Sequence, residues 1–323
     1  MQNLLPALSP SIKLSILAAL SLILAVLLLG MHPDTLNDYI LNRRLLMVVT
    51  MVVVSIANGL ATLIFQTITN NRILSPSVMG FESLFVLIQT GLVFFCNVEQ
   101  LTAIPPLLLF LVQVTLMVML TVSLYRQLLL GKRQQGLYLL VLTGIVCGTL
   151  FSGGATLLQR LLSPTDFAIV QSRLFARFTL VEPQLLLISA IVTILVAYWL
   201  WRKRHVLDVL ALGASSATLL GINWQREVYQ LLSITSLLVA IATALIGPLA
   251  FFGFLAVTLS YQGMKTHQHQ WLMPATILIG LVTLCGGQLI LQYGLDMAGS
   301  LSVVIEFVGG FLFLVVLLKY KTI

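Results

Sequence analysis

Residues 181–223 read VEPQLLLISAIVTILVAYWLWRKRHVLDVLALGASSATLLGIN. Their first half is an uncharged apolar run between Glu182 and Arg202, and about 20 such residues are what a helix needs to cross a hydrocarbon core. Arg202, Lys203 and Arg204 then mark the side that stays in the cytosol. The stretch beyond them is too long for a tight turn and too polar to cross again. Asp208 can cap a short helix over about 208–222, and Gly221 can end it. Such a helix would show Leu, Ala and Ser to an aqueous side. A surface of that kind needs cover, from the inner leaflet or from a groove in a partner protein.

The apolar run recurs along the chain. Segments 12–30, 45–65, 77–95, 104–124, 136–158, 181–201, 228–247, 249–262, 271–291 and 301–319 all read as spans. The expectation is an all-α polytopic membrane protein of about ten transmembrane helices, forming one permease domain over 1–323. Composition agrees: 59% of residues are hydrophobic and 8% are charged, against about 25% charged in soluble domains. A cytosolic enzyme, a disordered chain and a nucleic-acid binder are excluded. Two spans are irregular. The third carries Pro76, Gly80 and Glu82, with Glu82 expected near the inner boundary, and the eighth begins at Gly247-Pro248. Irregular backbone at membrane depth is tolerated only where protein or water covers it.

With the N-terminus inside, the cytoplasmic face holds Lys13, Arg72, Arg126, Lys132, Arg133, Arg202, Lys203, Arg204, Arg226, Lys265, Lys319 and Lys321. The outer face holds Arg43, Arg44, Arg160, Arg173 and Arg177. That bias places both termini in the cytoplasm. The net charge of +7 is then mostly topology. Cys96, Cys147 and Cys285 lie far apart and read as small buried hydrophobes. The run from Leu14 to Gly30 lacks a small-x-small cleavage site and reads as a span instead of a signal peptide.

No phosphate loop, H-E-x-x-H, G-x-S-x-G or C-x-x-C is present, so no catalytic or metal site is expected. His267 and His269 read as part of a solvated loop, and His32 and His205 as residues beside span ends. Glu82 and Glu306 are the intramembrane ionisable residues, with either a structural hydrogen bond or proton coupling as their role. The fifth span carries Gly144, Cys147, Gly148, Ser152, Gly153 and Gly154. Small residues there either allow close helix packing or leave room for a bulky cargo, and Gly148, Ser152 and Gly153 are the candidates for a pathway.

Several ordered stretches resemble the iron-chelate and cobalamin (FecCD-type) permeases of ABC importers. Leu212-Gly213 through Leu220-Gly221-Ile222-Asn223 is similar to that family's LGxxxAxxLGVN stretch. Gly247-Pro248-Leu249-Ala250-Phe251-Phe252-Gly253 is similar to AGPIxFVG, and Gly309-Gly310-Phe311-Leu312-Phe313-Leu314 to GGPFFLYL. Asn58-Gly59-Leu60, Phe65-Gln66, Asn70-Asn71-Arg72, Ser75-Pro76 and Met79-Gly80 follow its GxxLQxxxxNPLAxPxxLG. Val257-Thr258 departs from the family's Pro-His, and Leu41-Asn42-Arg43-Arg44 keeps only the last arginine of its RLPR. These departures are similar to a branch of anguibactin- and vibriobactin-type ferric siderophore permeases.

The resemblance implies a type II ABC importer permease fold in the inner (plasma) membrane. It implies a second permease subunit, identical or homologous, two ATPase subunits that carry ATP and Mg, and a periplasmic substrate-binding protein. Ferric siderophore is the implied cargo, with cobalamin or haem as the alternative. An ion-coupled secondary transporter using Glu82 or Glu306 is the alternative of another class. This chain would hold no cofactor and no ATPase site of its own. Asp208, Leu212, Gly213, Ala217, Leu219, Gly221 and Asn223 would couple to the ATPase. Arg44 matches the family's position for docking the binding protein, with Arg43, Arg173 and Arg177 added from their location.

Overall fold

The computed structural model describes residues 9–30, 38–129, 136–294 and 299–320. His32, read as lying beside a span end, and Lys132, Arg133 and Lys321, read as cytoplasmic, lie outside the described residues. The regular structure of the described residues is helical: α1 Pro10–Gly30, α2 Asp38–Thr69, α3 Phe81–Ala103, α4 Pro106–Leu129, α5 Gly136–Leu161, α6 Pro164–Leu174, α7 Pro183–Arg202, α8 Arg204–Leu210, α9 Ala214–Leu219, α10 Trp224–Ile246, α11 Phe252–Met264, α12 His269–Leu289 and α13 Leu301–Tyr320. Seven of them (α1, α2, α4, α5, α7, α10 and α12) are long and apolar enough to cross a membrane. The expected spans at α3, α11 and α13 correspond to helices of 23, 13 and 20 residues, which do not meet that measure among the described residues.

Apolar residues on every side of a helix demand that it be covered on every side. α2 meets that demand from protein: Met51, Val54, Leu60, Leu63, Ile64 and Phe65 are all fully buried, and α10 and α12 pack against it. α1 and α7 instead expose Leu22, Ile23 and Val26, and Leu187, Ile194 and Leu195, as lipid-facing helices do. The core forms two main clusters. One, with Met51, Phe178, Leu245 and Leu301, lies toward the end that carries α6. The other, with Leu63, Leu207, Leu231 and Leu272, lies toward the end that carries α8 and α9.

Local chemistry sets the element ends. The Ser163 hydroxyl accepts from the Asp166 N–H, and Pro164 occupies the first turn. This cap, worth about 1 kcal/mol, starts α6, a short helix between two expected spans. After α2 the chain turns at Asn70 (φ 48°) and re-enters the bundle through a 3-10 turn, Pro76–Met79. Gly80, at φ 83° and ψ 13°, closes that turn and opens α3. Its backbone lies against Gly144 and Gly148 of α5. Met79 and Phe81 belong to one core cluster, Leu84 and Phe85 to the other. α3 therefore starts part-way through the bundle, with Glu82 where the two clusters meet. The second irregular start is also as expected in kind: α10 ends at Ile246, and Gly247, Pro248 and a left-handed Phe251 (φ 60°) precede α11.

Candidate functional site

The segment after α7 holds most of the residues assigned to coupling. It is not one helix from 208 to 222 but two, broken at Gly213, whose φ of 94° and ψ of 168° only glycine adopts without strain. α8 turns inward and buries Leu207 and Leu210. α9 buries Ala217 alone, while Leu212, Leu219 and Leu220 are 63%, 88% and 63% exposed. Gly221 ends α9 as expected. At φ 83° it forms a Schellman closure, with Ile222 N–H on Ala217 O and Gly221 N–H on Thr218 O, both at 3.0 Å. Asn223 is exposed, and its side chain caps α10 by accepting from Arg226 N–H at 3.2 Å.

Asp208 is no helix cap either. It lies within α8, and its Oδ1 accepts from the His269 backbone N–H at 2.8 Å and from ring Nδ1 at 2.7 Å. An ionised carboxylate only accepts, so Nδ1 carries the hydrogen of that bond. Partial burial pushes the Asp208 carboxyl pKa up. The two His269 hydrogen bonds, with electrostatic attraction to His269 and His205, outweigh that and hold it below the usual aspartate value. His269 is 1% exposed, and its Nε2 meets Thr67 Oγ1 of α2 at 2.8 Å. The solvated-loop expectation for this histidine is thus wrong: α8, α2 and α12 close over it. His267 remains at the surface, with Nδ1 3.0 Å from an Arg72 nitrogen, and Arg72 stacks 4.5 Å from the Tyr261 ring centre. Only the H-x-H spacing could have flagged His269, and spacing carries no burial.

At the α6 end, the four arginines that the sequence assigned to docking separate into two kinds. Arg44 Nη1 donates to Leu29 O in the last turn of α1 at 3.2 Å, and Arg43 bonds and stacks on Tyr39. Arg173 and Arg177 line a cavity of about 450 Å³ between α3, α4, the 175–180 segment and the end of α10. Burial and then the neighbouring Arg177 push the Arg173 pKa down. Two guanidiniums that repel each other at one opening suit an anionic partner or ligand. Buried Gln113 and Gln89, bonded at 2.6 Å, line the same cavity.

The pathway candidates also divide. Gly148 is packed against the Gly80 backbone, so it serves close approach, whereas Ser152 and Gly153 are exposed and Gly153 has open space in front of it. Glu82 lies close to Ser77 and within electrostatic reach of Glu306, which is exposed on α13. Among the described residues no cluster of three or more His, Cys, Asp or Glu could hold a metal ion.

Residues 7–319 match the family model of the FecCD transport family. The chain is 38% identical over 282 residues to the petrobactin import system permease protein YclO of Bacillus subtilis, covering 87% of this chain and 89% of that protein. It is 37% identical over 284 residues to the petrobactin import system permease protein FatC of Bacillus anthracis, covering 88% and 80%. Its fold is similar to a metal-chelate type ABC transporter solved in an inward-facing conformation, with a TM-score of 0.83 at 23% identity over 96% of this chain and 100% of that one. It is also similar, with a TM-score of 0.56 at 13% identity, to PsaBC from Streptococcus pneumoniae, over 91% and 94% of the two chains.

Proposed function

Because this chain belongs to the FecCD transport family, we propose that it is the inner-membrane permease subunit of an ABC-type importer that takes up a ferric siderophore of the petrobactin class. The observation that carries this reading is near-full-length identity of 38% and 37% to two permeases named for petrobactin import. The finer likeness to anguibactin- and vibriobactin-type systems agrees on a ferric siderophore and differs only in which one. Cobalamin and haem are the alternative cargoes.

The chain forms one permease domain of ten spans, the seven long helices together with α3, α11 and α13. Both termini are cytoplasmic, on the side of α8 and α9. A second permease covers the faces of α5 and α13 that carry Ser152, Gly153 and Glu306. A carboxylate on a membrane helix is costly against lipid and belongs against protein or water, which supports a cargo pathway along those faces. One of the two ATPase subunits seats on Leu212, Gly213, Leu219 and the end of α9, and the other on the second permease. A substrate-binding protein docks at the α6 end, where Arg173 and Arg177 are better placed than Arg43 and Arg44.

Proteoliposomes holding the permease, its ATPase and its binding protein test this, with radio-iron petrobactin as cargo. Uptake should require ATP and should not respond to an imposed proton gradient. Uptake driven by the gradient without ATP would instead establish the secondary transporter that uses Glu82 and Glu306.

A further inference from the structure

We propose that Asp208 and His269 are positioning residues that carry movement of the cytoplasmic α8–α9 segment into α2 and α12. This rests on the proposed coupling role of that segment and adds the route by which force leaves it. The surface that α9 offers a partner is nearly detached from the bundle, since Ala217 alone among its residues is buried. Whatever pushes α9 must therefore act on the bundle through its neighbours, α8 and the start of α10.

α8 reaches the bundle in two ways. Leu207 and Leu210 sit in the core cluster of that end, which holds α8 in place but lets apolar side chains slide. The second way is directional. One carboxylate oxygen of Asp208 takes both the backbone and the ring N–H of His269, at 2.8 and 2.7 Å, and the opposite ring nitrogen meets Thr67 at 2.8 Å. A single imidazole thus joins α8, the first turn of α12 and the last turn of α2. The Thr67 hydroxyl also lies 2.8 Å from Leu63 O within α2, and its one hydrogen serves either that carbonyl or the imidazole.

The surroundings make these bonds matter. A cavity of about 510 Å³ opens beside the junction, lined by Gln66, Asn70, Arg72, Asp208, Leu212 and Tyr261 among others. Side-chain packing across the junction is interrupted there, so hydrogen bonds span what apolar contact does not. Charge-assisted bonds are short and fixed in direction, and the imidazole that makes them is 1% exposed. Much of α2 is enclosed by its neighbours, and α12 packs on α1, α2 and α11. A displacement delivered to this one side chain therefore reaches the helices around which the others are arranged.

The test uses the complete importer in proteoliposomes, reading iron imported per ATP hydrolysed and, separately, ATPase copurification. Asp208→Asn and His269→Gln should each lower import per ATP roughly tenfold, within the usual range of coupling between sites, while the ATPase still copurifies. The exchange Asp208→His with His269→Asp should recover a large part of the ratio. If either single variant keeps the wild-type ratio, or loses uptake only in proportion to a lower yield of folded protein, the bonds are structural and the proposal is overturned. Leu219→Asp separates this from the coupling role beneath it. Normal ATPase copurification with that variant would remove α9 as the docking surface, whatever the tether does.

Discussion

Replacing Gly148 by alanine tests the contact that sets where α3 begins. In a helix interior, alanine is favoured over glycine by about 1 kcal/mol, so α5 alone would gain. A Cβ at Gly148, however, would stand 2.9 Å from Gly80 Cα and 3.3 Å from Gly80 N, backbone atoms that cannot rotate away. Forcing volume into a packed site costs roughly 1–3 kcal/mol. The net effect therefore runs from neutral to a loss of about 2 kcal/mol. Gly80→Ala is worse on both counts. Its Cβ would overlap Gly148 Cα, and at φ 83° an L-residue costs about 1–2 kcal/mol more, with no helix gain to offset it. A Cβ at Gly153 would meet nothing within 4 Å, so alanine there keeps its helix gain. Thermal unfolding of the purified permease in detergent should rank Gly153→Ala at or above wild type, then Gly148→Ala, then Gly80→Ala. A Gly148→Ala protein as stable as Gly153→Ala would refute the close approach of the re-entrant turn to α5.

Gly213→Asp places a charged side chain where this chain leaves open space and where the backbone conformation itself costs a non-glycine residue roughly 1–3 kcal/mol. Membrane insertion should survive, while ATPase copurification and ATP-driven uptake are lost; normal values of both would remove this segment from coupling. Arg177→Glu should lower uptake and binding-protein-stimulated ATP hydrolysis several-fold, because an anion-accepting edge of the 450 Å³ cavity becomes repulsive. Arg44→Gln should show mainly in thermal stability, since Arg44 holds the end of α1 through Leu29 O. Equal transport defects from both variants would return Arg44 to the docking surface.

Features that depend on neighbours in the chain are legible in the residues alone. Apolar length between charges is such a feature, and the spans read at 104–124, 181–201 and 271–291 fall within a few residues of α4, α7 and α12. So are the breaks at Pro76–Gly80 and Gly247-Pro248, where backbone chemistry interrupts a helix whatever surrounds it, and the closure of α9 by Gly221. The exposed surface of α9 was legible too, because no apolar partner lies close by in the chain. Which helix lies beside which is settled only by packing. Gly148 and Gly153 are the same residue on the same helix, yet one meets Gly80 and the other meets nothing. His269 and Asp208 are 61 positions apart, and His269 and Thr67 are 202 apart. No local pattern encodes such meetings, because they exist only once α2, α8 and α12 have packed, and burial is a property of that packing and not of the imidazole. Helix boundaries follow from the cost of moving each residue from water into a membrane, but the residues that join the helices follow from their arrangement.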